Sequence, residues 1–480
     1  MIVSILLDKP VPHYTNLDVL TGRIQLRVTS NTNVSSIVVK LEGESRTRLV
    51  APARPDRQNR PRPVLEVHKI LYKVQVVFPP PQLQTAGWET KNYTLNTGQY
   101  EYPFTFKLPF NNSCSPHNSL ATNLNIAGLQ MEIGRTPTRH VKQTLPPSLS
   151  GFPGEAEIRY YVKCTVNRPS LLKENPRAFA HFNFLPIEPP RPAAMDGEAY
   201  ARRQHQFNPA TANLDGTADN PAKAQPPRFS VDARLPNPAI LTCNDDVPLR
   251  IIVKQLNERT EPVYLQMLQI ELLGYTHVRA HEVARLETNS WVLVSMSNMG
   301  IPLGSPSDVA GTETELSREY WYGRALPNTV APTFETCNIS RYYELEVRVG
   351  LGYASKQSGR DQLIVLPLRL PVKVFSGVKP SPELLQAMSN KLQRKPVPSS
   401  AGNKVGLNIV PPVNGAATAG PSNIPPTPTD GAPFEDAPPS YEDVVAQDLP
   451  PVDGPRRDYA PPPVAEGAPR FSGEDQKRTG

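Results

Sequence analysis

Short runs in which apolar and polar side chains strictly alternate, cut apart by prolines, recur through most of this chain. No other feature restricts its fold as much. Ile24, Leu26 and Val28 point one way while Gln25, Arg27 and Thr29 point the other, and a period of two is that of a strand with one wet face. The same pattern runs through Ile70, Tyr72, Val74, Val76 and Phe78, through Tyr102, Phe104, Phe106 and Leu108, and through Ile158, Tyr160, Val162, Cys164 and Val166. Between them stand breakers such as Phe78-Pro-Pro-Pro81 and Leu145-Pro-Pro147, where a helix would lose hydrogen bonds and clash. Proline supplies 56 of the 480 residues, which excludes long helical bundles and coiled coils. With 28 glycines the chain still falls short of the ~25–30 % Pro plus Gly of a wholly unfolded sequence. An all-β fold follows, with antiparallel strands stacked as β-sandwiches.

The alternation divides the chain. Residues 1–190 form one sandwich, and Met1–Asp8, which lacks a basic leader, is read as its first strand rather than a signal peptide. Residues 191–227 lose the pattern and are rich in Ala, Asn, Asp and Pro, so they are read as a flexible linker or insertion. Residues 228–377 form a second sandwich, with Leu268, Ile270 and Leu272 inward, then Leu345, Val347, Val349 and Leu351, then even positions from Ile364 to Val374. A short helix is expected at 378–395, where Ser381 can cap and Pro382 can open it. Residues 396–480 are expected to be a disordered, Pro-rich tail. From 379 onward the chain holds 20 of its prolines but only four aromatic residues, too little apolar surface to offset ordering entropy. No apolar run approaches the ~20 residues of a membrane span.

Chemistry is sparse. The sequence contains no GxSxG, no GxxxxGK and no HExxH; His277 and His281 are spaced i, i+4 but read as solvated strand residues. Cys114, Cys164, Cys243 and Cys337 are far apart with no CxxC pair, and are taken as reduced cytosolic thiols. No catalytic residue, cofactor or metal ligand is therefore expected.

Two features point to binding. The first is Pro438-Pro439-Ser440-Tyr441. Paired prolines hold a polyproline II ridge that fits between the aromatic side chains of a WW domain, and Tyr441 falls in register for the next pocket. The flanking stretch 430–448 carries Asp430, Glu435, Asp436, Glu442, Asp443 and Asp448 with no Lys or Arg, which steers it toward a basic partner. Tyr459 precedes its prolines and is not counted as a second motif. The other feature is Arg46, Arg48, Arg54, Arg57, Arg60 and Arg62 against the single acid Asp56. Two readings stand: a solvated loop, or a cationic patch for phosphorylated cargo tails or anionic lipid. Nucleic acid is not expected, because no aromatic residue interleaves with this run.

Tandem sandwiches, the lack of a catalytic cluster and a PPxY tail resemble the arrestin superfamily, specifically the fungal α-arrestins (arrestin-related trafficking adaptors). Thr21-Gly-Arg-Ile-Gln-Leu26 with Ile37-Val-Val-Lys-Leu-Glu-Gly43 is similar to that family's first strands, and Glu157–Cys164 to its late N-domain strand. Val247–Val253 running to Leu272 is similar to the C-domain opening. The resemblance implies two arrestin-like, immunoglobulin-like sandwiches in a non-enzymatic cytoplasmic adaptor recruited to the plasma membrane and endosomes. The body would hold the cytosolic tail of a transporter or receptor. Pro438, Pro439 and Tyr441 would recruit a HECT-type ubiquitin ligase through its WW domains, so that cargo, and the adaptor itself, carry ubiquitin and cargo is endocytosed. The alternatives are an ambient-pH-signalling arrestin that recruits endosomal sorting machinery, a retromer-type coat subunit of the same shape, and a hydrolase assembled from scattered residues.

Overall fold

The computed structural model describes residues 1–9, 11–51, 63–80, 92–114, 137, 139–152, 154–170, 174–208, 226–259, 261–354, 361–393 and 441–462. The first sandwich contains β1 (Ile2–Leu7), β2 (Val19–Val28), β3 (Thr32–Val34), β4 (Ser36–Val50), β5 (Pro63–Phe78), β6 (Tyr93–Leu95), β7 (Gly98–Lys107), β8 (Leu149–Phe152), β9 (Ala156–Asn167) and β10 (Arg177–Phe182). One sheet runs β1-β2-β7 and the other β10-β9-β4-β5, with β8 on β9 and a small β3-β6 ribbon. Leu20, Ile24, Leu26 and Val28 of β2 meet Ile37, Val39 and Leu41 of β4 and Tyr160, Val162 and Cys164 of β9 in a single core. Alternation selects which residues enter it, since each strand turns every second side chain inward.

The second sandwich contains β11 (Glu198–Gln206), β12 (Arg228–Pro236), β13 (Ile240–Thr242), β14 (Arg250–Gln255), β15 (Val263–Ala280), β16 (Val283–Pro302), β17 (Glu313–Glu315), β18 (Phe334–Glu335), β19 (Ile339–Ala354) and β20 (Asp361–Phe375). Its sheets run β11-β12-β14-β17 and β13-β20-β19-β15-β16, with β18 on β19. Val231, Ala233, Ile251 and Val253 pack against Leu268, Ile270, Leu345, Val347, Leu368 and Leu370. The all-β, two-sandwich architecture is the one the alternation implied. Helix α1 (Pro382–Gln393) follows, with Ser381 Oγ accepting from the Leu384 N–H at 3.3 Å, and a second helix, α2 (Tyr441–Asp448), lies further on. No described helix is long and apolar enough to cross a membrane.

Three expectations need correction. The 191–227 linker contains a strand: β11 pairs along its whole length with β12. Its Glu-Ala-Tyr-Ala-Arg-Arg-Gln-His-Gln sequence has no apolar stripe because cross-strand ion pairs sustain it. Arg202 forks onto Asp232 with both contacts at 2.7 Å, and Glu198 accepts from Arg250 at 2.8 Å. In β5, the side chains from Ile70 to Phe78 do not share one face. Gly43 of β4 pairs with Leu71 and Glu44 with Lys69, so Ile70 is the extra residue of a bulge. Ile70 and Leu71 are both buried, and beyond them the faces exchange, leaving Val74 and Val76 exposed at 48 % and 43 %. Gly43 allows this crossing, because a Cβ there would meet the Tyr160 ring at 2.7 Å and Leu71 Cβ at 2.9 Å. Finally, residues 441–462 of the expected disordered tail are folded onto the body, as described next.

The two sandwiches share a buried seam. Val278 and Ala280, at the end of β15, and Cys337 and Ile339 join the core of the first sandwich. Ser45 Oγ donates to Asn338 Oδ1 at 2.6 Å, and Thr47 Oγ1 donates to the Arg279 carbonyl at 2.6 Å. Glu66 accepts from Arg279 Nη2 at 2.9 Å and from the His281 N–H.

Candidate functional site

The segment that begins at the last residue of the PPxY motif lies on both sandwiches as a strap. Tyr441 is the first residue of α2; Pro438 and Pro439 lie outside the described residues, as do the side-chain surroundings of Tyr441. Ala446 is buried with Leu17, Phe110 and Ile187 of the first sandwich and Leu384 and Met388 of α1, with Leu449 and Val452 packed alongside. A helix of eight residues is marginal alone, so this apolar contact and its cap hold it. The cap comes from β7: Lys107 Nζ donates to the carbonyls of Gln447 and Leu449, both at 2.6 Å, placing a cation on the helix's negative end.

Beyond α2 the Pro-rich chain is anchored on both bodies. Arg456 Nη2 meets Asp18 Oδ1 at 2.6 Å on the first sandwich. Arg457 Nη1 donates to the Cys243 carbonyl at 3.0 Å and to Asp245 Oδ1 at 2.5 Å on the second. Asn244 Nδ2 donates to the Asp458 carbonyl at 2.8 Å. Tyr459 is the plug: it is 2 % exposed, and its hydroxyl donates to the Ser148 carbonyl at 2.5 Å. Further on, Ser150 Oγ donates to the Pro462 carbonyl.

The electrostatics under the strap are those of a dry contact. Burial raises the Asp18 carboxyl's pKa, while the Thr15 N–H at 2.8 Å and Arg456 pull it back. Burial, reinforced by the Arg456 cation, lowers the His13 pKa to about 4; its ring lies edge-on to Tyr459 at 6.4 Å. A released His13 takes up a proton near its ordinary pKa of ~6.5 and the docked one resists, so this group's contribution to docking falls as pH drops toward 4, while the raised pKa of Asp18 acts in the opposite sense.

The arginine run does not form one patch among the described residues. Arg46 and Arg48 belong to β4, and Arg46 is 8 % exposed with its guanidinium 3.8 Å from Glu44. Glu44 also takes Arg159 at 3.3 Å and the Tyr161 hydroxyl at 3.0 Å. Burial would raise this carboxyl, but Arg46, Arg159 and Lys69 together hold it below its ordinary range. Arg54, Arg57, Arg60 and Arg62 lie outside the described residues. Sequence reasoning missed Lys107, Asp18, Arg456, Arg457 and Tyr459, none of which has a local signature. It also missed a group that could hold a metal, since His68, Cys114, His140 and Cys337 converge with all four ligand atoms within 4.8 Å of one another. Cys114 and Cys337, far apart in sequence, have their sulfurs 3.5 Å apart.

Residues 3–123 match the arrestin (or S-antigen) N-terminal domain family, a stretch that covers β1 through β7. A protein of Lachancea thermotolerans named arrestin-related trafficking adapter 10 is similar, with 27 % identity over 122 residues. That similarity spans 23 % of this chain and 28 % of the relative.

Proposed function

We propose that this chain is an arrestin-type trafficking adaptor that presents Pro438-Pro439-Ser440-Tyr441 to the WW domains of a HECT-type ubiquitin ligase. It would thereby promote ubiquitination and endocytosis of a membrane transporter or receptor held by the sandwiches. The fold, the arrestin likeness of residues 3–123 and the printed name of the similar protein support the adaptor reading. The observation that carries it is the position of the motif: its tyrosine opens a helix whose other end is capped by Lys107 on the body. A ligase bound there would be tethered by a few residues to a fixed point instead of ranging on a long free tail, which raises its effective concentration at cargo on the same body.

The same geometry sets a cost. A WW domain takes its ligand as polyproline II, so binding must unwind the first turn of α2, and the ~10–100 µM expected of one such peptide is an upper limit of strength. Arg54, Arg57, Arg60 and Arg62 on the β4–β5 connection are proposed as the cargo-tail or lipid contact. The protein would work in the cytoplasm and reach the plasma membrane and endosomes with its cargo. Titration of the intact chain with a HECT-ligase WW domain tests the core of this reading. Tyr441→Ala is expected to weaken binding at least ~10-fold, the loss of about 1.4 kcal/mol, and undiminished affinity would remove the ligase from the account.

A further inference from the structure

His68 lies in β5, Cys114 follows β7, His140 precedes β8 and Cys337 precedes β19. Three come from the first sandwich and one from the second. Their facing atoms are close: His68 Nδ1 to Cys114 Sγ is 3.3 Å, Cys114 Sγ to His140 Nδ1 is 3.3 Å, and Sγ to Sγ is 3.5 Å. A tetrahedral ion with bonds of ~2.3 Å to sulfur and ~2.1 Å to nitrogen has S–N edges near ~3.6 Å and an S–S edge near ~3.8 Å. These three edges are shorter by only a few tenths of an ångström and all four atoms lie within 4.8 Å of one another, so side-chain shifts would bring them to the tetrahedral spacing.

The outer contacts point the same way. His68 Nε2 faces Glu66 Oε1 at 2.7 Å, and His140 Nε2 faces the Pro137 carbonyl at 3.2 Å. Each acceptor takes an Nε2–H, so each ring turns the lone pair of Nδ1 toward the sulfurs. The Val141 N–H donates to Cys337 Sγ at 3.1 Å, as suits a thiolate. Glu66 is itself held by Arg279 of the second sandwich, so the outer contacts also cross the seam.

We propose that His68, Cys114, His140 and Cys337 bind one structural Zn²⁺ that staples the second sandwich to the first. Two thiolates and two neutral imidazoles balance the dication, so the buried site carries no net charge. Binding releases two thiol protons to solvent, and no electron moves. Soft sulfur with imidazole in a closed four-ligand set favours zinc over magnesium or calcium and leaves no open position for catalysis. The inference is independent of the adaptor reading.

The test uses the full chain purified without chelator. Elemental analysis and native mass spectrometry should find about one Zn²⁺ per chain, and Co²⁺ exchange should give the d–d bands and sulfur-to-cobalt charge transfer of a tetrahedral site with two thiolates. Cys337→Ser and the less buried His140→Gln should each lose the metal. Stripping the wild type with a strong chelator should lower its Tm by at least ~5 °C, restored by Zn²⁺ alone, which keeps the test valid if a variant folds poorly. A metal-free wild type whose thiols give no cobalt charge transfer overturns the proposal. So does a Cys114–Cys337 disulfide in the freshly purified protein, which would make the staple a redox bond.

Discussion

Two of the sets of contacts that join the sandwiches differ in character, the polar seam and the strap, while the exposed pairs Arg139–Glu335 and Arg285–Glu155 add a rim. At the seam, Ser45, Thr47 and Glu66 face Arg279 and Asn338, and nearly every participant is buried. Along the strap, the half-exposed pair Arg457 and Asp245 and a few carbonyls lie beside the buried pair of Asp18 with Arg456, and Tyr459 and Ala446 are the deep anchors. Polar groups withdrawn from water are costly to separate, because each partner is left unsatisfied, whereas exposed ones exchange protein contacts for water at little loss. The seam should therefore be the more permanent joint and the strap, part of whose contacts are exposed, the more removable one. The PPxY tyrosine sits at the removable end.

Substitutions can break that contrast, beginning with the largest effect. Glu66→Ala removes the buried carboxylate that faces the partly buried Arg279 guanidinium, leaves that cation only the Cys337 and His281 carbonyls, and strands the N–H of His281, so it should lower global stability by about 3 kcal/mol in denaturant titration. A change below ~1 kcal/mol would show that the seam is not buried as described. Tyr459→Ala removes the plug and its hydrogen bond, which should cost about 3 kcal/mol of docking. Hydrogen exchange should then rise across 441–462 while the midpoint of the sandwiches holds; equal loosening of both would merge the two joints into one. Arg457→Ala removes an exposed pair and should change docking by less than ~1 kcal/mol by the same exchange measurement. A larger loss would mean that the strap depends on this pair more than on burial.

How far the sequence could be read varies with position. The strands at Leu20–Val28, Ile158–Val166 and Leu366–Val374 are evident because one face is wet, and the even positions of β20 are buried as their alternation implies. β11 escaped because its stabilisation lies in Arg202–Asp232 and Glu198–Arg250, pairs formed with strands elsewhere in the chain. In β5 the alternation continues through the bulge at Ile70, but the bulge exchanges the faces, so the same letters come to mean the opposite side. Arg46 belongs to a run of like charges in sequence, yet in the fold it lies beside Glu44 on its own strand.

Sequence by itself determined the strand periodicity, the proline boundaries and the four-residue PPxY stretch, because each of these is encoded within one short stretch of backbone. Tertiary structure alone decided that a tyrosine at 459 would seat its hydroxyl on the Ser148 carbonyl, and that two histidines and two cysteines spread from 68 to 337 would meet. The physical reason is that such convergence depends on which sheet edges pair and how two sandwiches pack, and those are set by the sum of many weak contacts across the whole chain.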